Sequence, residues 1–502
     1  MSVEEHTPPQ SRLSRRQLLK AAGVLAVGAW ALDGSRLLSN TEANLVGGPQ
    51  IQAPGQAIHD FRSRPDLRIA ETSVAGAFGP GSHLLLGPKA IHGAQGGPLI
   101  VDSHGQPVFF RPVVRWATNV RVQQYRGEPV LTWWEGVVDK QGYGQGEGVI
   151  VDRFYREVAR VRAVNGHTVD LHEFLLTPEG TALVTCRPAI TRADVSAIGG
   201  PRNGTVYDSI VQEIDVRTGR LLLEWRGLDH IALAESQRAP GGVVDYLHVN
   251  SVQPLPDGHL LLSARNTWAL YKIDRRSGAV IWRLGGKRSD FAIGRGAEFS
   301  WQHDARHPLP GTLTVFDNGS DGPIRSASQS RALKLAVDER RRTVRVATAY
   351  VHPAPLLASS MGSVQILPNG HVVVGWGAEP FISEFTPDAK AIADLRLVPG
   401  QLSYRGLRLP WRGTPNTAPA IAVRRKPRTG ARTLYVSWNG STETALWQVL
   451  IGRRRSAVQP IGTAGKTGFE TAIELGSADG YVAVAALDRF GTRLARSETI
   501  PV

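Results

Sequence analysis

The sequence predicts an all-β chain: a six-bladed β-propeller followed by an immunoglobulin- or fibronectin-like β-sandwich. Three observations carry the prediction. Glycine and proline are abundant, 54 and 32 of 502 residues, as a fold of short strands and many turns requires. Helical periodicity is scarce beyond residue 57. Two short phrases recur along the chain, each reading as strand, turn and strand.

The first phrase occupies residues 174–185, 251–263 and 363–374, with turns at Pro178-Glu179-Gly180, Pro256-Asp257-Gly258 and Pro368-Asn369-Gly370. A glycine there supplies the positive φ that a tight hairpin demands. The second phrase occupies residues 213–225 and 272–282, with a weaker copy at 384–390. Asp215 and Asp274 begin its turn, Gly219 and Gly278 close it, and Trp225 and Trp282 end the outgoing strand. Joined in order, the phrases give four strands per unit. Radial repetition of such units leaves no long open sheet edge, and about six fit the available length. The propeller is therefore expected over residues 58–415. Composition shifts around residues 409–415, and the strands beyond, with Trp438, Trp447 and Tyr481, predict a sandwich over residues 416–502.

The first 40 residues read as an address rather than as fold. Arg15-Arg16 precedes a short apolar run over residues 21–32, too short for an ordinary membrane span of roughly 20 residues. That combination resembles a twin-arginine export segment, followed by a linker at 41–57. An extracellular or cell-envelope location is expected, with membrane contact only through an uncleaved anchor. Cys186 is the sole cysteine, so no internal disulfide forms and no thiolate zinc cluster is built.

The net charge of +14 suits anionic partners, or reflects an arginine-rich composition. Basic residues are dispersed apart from 340–342 and 453–455, with no aromatic-interleaved basic motif. Nucleic acid is not an expected partner.

Three polar phrases stand among apolar strands: 170–174 with His172, 245–251 with His248 and Asn250, and 301–306 with His303. Each lies before or at the start of a strand. In a propeller the innermost strands begin beside the central channel, so these positions converge there. His248 and Asn250 are two apart and would share a strand face. Arg265 ends the hairpin that Asn250 opens. The histidines do not form a compact ligand motif, and no metal is expected.

At these phrases the chain resembles the bacterial arylsulfotransferase family, in particular its actinobacterial and fungal-type branch. The matching stretches are 61–67, 129–136, 170–174, 245–251, 301–304 and 312–319, and the resemblance extends over residues 58–400. It implies a six-bladed propeller that moves a sulfuryl group from an aryl sulfate to a phenol through a sulfohistidine, without a nucleotide donor, cofactor or metal. Carried over by motif, His303 is the nucleophile. His248, Asn250 and Arg265 hold the sulfuryl oxygens, and His172 is a further active-site histidine. The absence of a glycine-rich phosphate loop with its lysine agrees with that route. The other classes are a non-catalytic extracellular propeller that binds an anionic ligand or a cell-surface partner, and a quinone-dependent dehydrogenase. The latter requires tryptophan-docking repeats and an acidic calcium site that the sequence lacks.

Overall fold

The computed structural model describes residues 58–139, 142–239 and 241–502. The expected export segment and linker, residues 1–57, lie outside the described residues. What is described is all-β; its one α-helical element is the single turn Gly227–His230. Among the described residues no helix is long and apolar enough to cross a membrane.

Six sheets, each with four antiparallel strands in meander order at its core, follow one another along the chain; in four of them the four strands are consecutive, and in the third sheet the strands Ala189–Ala193 and Gly204–Tyr207 of a separate small sheet intervene. Their innermost strands, from the second sheet to the sixth, are Trp116–Tyr125, Phe174–Leu176, Val249–Pro254, His303–Leu309 and Ser363–Ile366. The first sheet has a different origin. Its innermost strand, Gly406–Leu409, comes from beyond the sixth sheet and pairs with His83–Leu86. Ser73–Gly76 in turn extends the sixth sheet by pairing with Ala391–Arg396. The two ends of the region are therefore stitched to one another.

Most of these sheets are apolar on both faces, because each is packed between two others. On the strand Thr181–Cys186, Val184 joins the core shared with the second sheet, and its neighbour Leu183 joins the core shared with the fourth. The same alternation generates a core between the fourth and fifth sheets, between the fifth and sixth, between the sixth and first, and between the first and second. The succession of interfaces returns to its start.

The repeated sequence phrases find a physical explanation here. The hairpins fall where the glycines place them, with φ of +85° at Gly258 and +84° at Gly370. Asp215 accepts from the Thr218 N–H and hydroxyl, and Asp274 from those of Ser277, which holds each outer turn. The recurring Ser-Val-Gln is a clasp between sheets. Ser251 Oγ accepts from Ala305 N at 3.0 Å, and Gln253 Oε1 accepts from His307 N at 2.8 Å. Ser363 Oγ and Gln365 Oε1 do the same for Gly406 N and Arg408 N, at 3.1 and 2.8 Å. Buried amides need such partners, so these side chains fix the spacing of adjacent innermost strands.

Residues 420–501 form two further sheets, one of three strands and one of four with Ile500–Pro501 at its side. They share one core built on Leu434, Val436, Trp438, Trp447, Val449, Val482 and Val484. This pair packs on the first two meander sheets. Asn439 exchanges hydrogen bonds with the Phe110 backbone, and Tyr155 donates to the Gly440 carbonyl at 2.7 Å.

Candidate active site

The backbone at the start of the innermost strands departs from regular β geometry. Asn119, His248, Asp304 and Met361 all have φ between +55° and +62°. These are costly conformations for residues with side chains, and they persist where surrounding structure enforces them. Register shifts lie at the same end: between Thr118 and Arg121, between Val249 and Ser251, and between His303 and Arg306. Each bulge re-aims the side chains beside it.

His172, His248 and His303 are brought to one place around Tyr404. The Tyr404 ring lies 5.7 Å from the His172 ring and 6.4 Å from that of His303, while His172 and His248 stand edge to face at 4.8 Å. Arg265 is adjacent, its N–H donating to the His248 carbonyl at 2.9 Å. Its guanidinium lies 5.0 Å over the Trp301 ring and donates to the Ser359 carbonyl.

His303 is 1% exposed, but its neighbours are polar. Asn318 Nδ2 donates to the carbonyls of Ala358 and Met361, both at 3.0 Å, which orients its Oδ1 toward His303 Nδ1 at 2.7 Å. An amide oxygen only accepts, so Nδ1 carries the hydrogen and Nε2 carries the lone pair. The Met361 N–H lies 3.3 Å from that Nε2. Burial, and then the Arg265 charge, push the imidazole far below its ordinary range. The ring is neutral at pH 7.

His172 and His248 form a second arrangement. Their Nδ1 atoms contact the carboxylates of Asp170 and Asp245, and their Nε2 atoms face each other at 3.1 Å. With Nδ1–H turned to each carboxylate, the pair can hold one proton between the two Nε2 atoms and no more. Arg187, over the Tyr143 ring, has a guanidinium nitrogen 3.0 Å from His248 Nδ1 and 3.7 Å from Asp245; a guanidinium only donates, so its favourable partner there is the carboxylate that also accepts from Nδ1–H. Burial lowers both histidines; Arg187 pushes further down on His248, while Asp170 partly offsets the fall at His172. Burial alone would raise Asp170 and Asp245, but the histidine and Arg187 beside each outweigh it and keep both ionised.

Asn250 is held by the backbone beside the nucleophile candidate. The bulge at Val249–Ser251 and the positive φ of His248 break the two-residue alternation, so spacing does not set its direction. Asn250 Nδ2 donates to the Gln302 carbonyl at 2.7 Å, fully buried.

Beneath the histidines lies an ion network. Arg405 bonds Glu173 at 2.9 Å and Asp304 at 3.1 Å; Arg306 reaches both carboxylates at 2.7 Å, and Arg121 reaches Glu173 at 3.3 Å. Glu173 and Asp304 each follow a site histidine in sequence, so the network and the site share their backbone. Sequence reasoning placed the histidines and Arg265 but assigned nothing to Arg187, Asn318, Tyr404 or Arg405. Asp170 and Asp245 stood inside the polar phrases, and Asn318 inside a stretch carrying the resemblance; Arg187 and Tyr404 had no signal. Among the described residues no cluster of three or more metal-ligating side chains occurs.

No curated protein matches the chain. Similar solved structures include a protein of unknown function from Bacteroides caccae, at 11% identity and TM-score 0.40, covering 66% of this chain and 99% of that one. A catalytically inactive virginiamycin B lyase from Staphylococcus aureus with quinupristin shows 9% identity and TM-score 0.31, over 75% and 94%. A calcium-binding regucalcin from Agrobacterium tumefaciens shows 13% identity and TM-score 0.31, over 62% and 79%. The sequence profile described as Arylsulfotransferase (ASST) matches residues 121–397, more than half of the chain. That span runs from Arg121 to Leu397 and holds His172, His248, Arg265 and His303: the chain belongs to the arylsulfotransferase (ASST) family.

Proposed function

We propose that this protein moves a sulfuryl group from an aryl sulfate ester to a phenol, with no nucleotide donor, through a sulfohistidine on His303. The observation that carries the reading is the Asn318 contact, which leaves His303 Nε2 unprotonated in a ring held neutral. Its lone pair attacks sulfur as the S–O bond to the aryl oxygen breaks, and a phenolate leaves. In the second half the acceptor phenol oxygen attacks the same sulfur and the N–S bond breaks. The phenol proton passes to the His172–His248 pair, which has room for one. Splitting one transfer in two lowers each barrier. As in phosphoryl transfer, charge in the loose transition state rests on the peripheral oxygens, and Arg265 is the cation beside them. Asn250 fixes the carbonyl preceding the nucleophile.

The architecture belongs to the same proposal. Six meander sheets with interfaces that return to their start support a six-bladed propeller over residues 58–415. The two facing sheets sharing the Trp438 and Trp447 core support an Ig-like sandwich over 416–502. Arg15-Arg16 and the apolar run after it support twin-arginine export to the cell envelope or beyond.

The test is intact mass analysis after exposure to an aryl sulfate. The wild type should gain one sulfuryl group, mapped to His303, and pass it to an added phenol; His303→Ala should gain none. The Met361 N–H seated on Nε2 supports a second reading, in which the site binds a sulfate ester without transfer. On that reading saturable binding survives His303→Ala and no adduct forms in either protein.

A further inference from the structure

The innermost strands continue past the ion network to the other end of the channel, where they enclose a cavity of about 490 Å³ to which all six meander sheets contribute residues. We propose that this opposite mouth is a second binding site, for an amphipathic organic monoanion such as an aryl carboxylate or aryl sulfonate. Its inner wall includes Arg121, Arg306 and the Asp304 that Arg306 pairs with, and its sides include Ile366, Leu407, Leu409 and Pro308. A guanidinium wall with an apolar flank matches a charged head on a ring.

Charge balance supplies the independent argument. The network between the two ends holds three arginines, Arg121, Arg306 and Arg405, against two carboxylates, Glu173 and Asp304. One positive charge is therefore left over in a buried place, where an uncompensated ion is costly. At the histidine end Arg187 stands against the carboxylates of Asp170 and Asp245. Arg405 is walled in at 3% exposure, whereas Arg121 and Arg306 border the cavity. Arg121 is 8% exposed and its Nε has no hydrogen-bond partner. Burial, only partly offset by Glu173, pushes its guanidinium down to about 10. A bound anion would supply the missing charge.

The site is separate from the proposed transfer chemistry, and the experiment keeps the two apart. Benzenesulfonate, whose sulfur is held by carbon and cannot be transferred, is titrated calorimetrically into the full chain in chloride-free buffer. Ile366→Trp fills the cavity without touching the network, and Arg121→Gln removes one guanidinium. Each should lose one saturable equivalent relative to the wild type, while Arg265→Gln keeps that equivalent. Ile366→Trp should also leave sulfuryl labelling from an aryl sulfate unchanged. Equal numbers of equivalents in the wild type and Ile366→Trp, or no saturable binding to the wild type, would overturn the proposal whatever the labelling result.

Discussion

Replacing Asn318 by aspartate puts the tautomer argument to a direct test. In the native protein an uncharged amide oxygen accepts from His303 Nδ1 at 2.7 Å, and Arg265 adds a repelling charge, so the ring stays neutral well into the acid range. An aspartate would keep the acceptor and add a full negative charge about 4 Å from the centre of the imidazole. At an effective dielectric constant near 20, that is worth about 4 kcal/mol to the protonated ring, or roughly three powers of ten in proton affinity. Two carbonyls, those of Ala358 and Met361, would lose their donors at about 1–3 kcal/mol each, so melting temperature must be followed alongside. The assay is the initial rate of sulfohistidine formation between pH 5.5 and 8.5. The wild type should be flat from pH 6 upward. The variant's acid limb should lie about three pH units above that of the wild type, with the rate falling tenfold per pH unit below it. A folded variant with the flat wild-type profile would refute the reasoning, because His303 would then not be the titrating nucleophile.

The other expectations concern charge, clasps and acid. Arg265→Gln removes the cation nearest the reacting ring and should slow adduct formation about a hundredfold with little change in melting temperature; an unchanged rate would remove Arg265 from the mechanism. Gln365→Leu strips partners from the Arg408 N–H and carbonyl and should cost about 1–3 kcal/mol in denaturant unfolding, and an unaltered midpoint would show the clasp to be idle. Stability should fall in two stages on acidification. His172, His248 and His303 have folded pKa values below their unfolded ones, so the unfolded chain binds protons first and stability declines below about pH 6.5. Asp170, Glu173 and Asp245 are also depressed when folded. The stabilisation they give is present above about pH 4 and lost below it. A melting temperature constant from pH 7 to pH 4 would contradict the histidine stage.

How much of this was legible in the sequence depended on whether a residue type was acting locally or across sheets. Turn chemistry is local, so Gly258, Gly370, Asp215 and Asp274 announced their hairpins by spacing alone. The polar phrases were legible because His172, His248 and His303 interrupt apolar strands at matching positions. The all-β class followed from both. Side-chain direction around the histidines was not legible, because the bulges beside Asn250 and His303 and the left-handed backbone at His248 cancel the period-two rule. The partners of the histidines were hidden for a different reason. Arg187 leaves the end of a strand that otherwise reads as ordinary core. Tyr404-Arg405 precedes the strand that closes the first sheet from the far end of the region, a pairing no local pattern encodes.

That closing strand explains why the charged interior can exist at all. Three arginines and two carboxylates in contact are a poor bargain in isolation, since desolvating ions costs more than most pairs recover. Here the groups are carried by strands already fixed by apolar cores on both faces and by Ser-Val-Gln clasps, so little extra ordering is needed to hold their geometry. Glu173 touches Arg121, Arg306 and Arg405, which ride on the second, fifth and first sheets. One carboxylate thus ties three separate sheets directly under His172. Shortening it by Glu173→Asp should loosen the register of the mouth more than it lowers global stability. Hydrogen exchange at the amides of His172, Asn250 and His303 should then rise before exchange in the outer strands does. Uniform acceleration across all strands would show instead that the network only supports the fold.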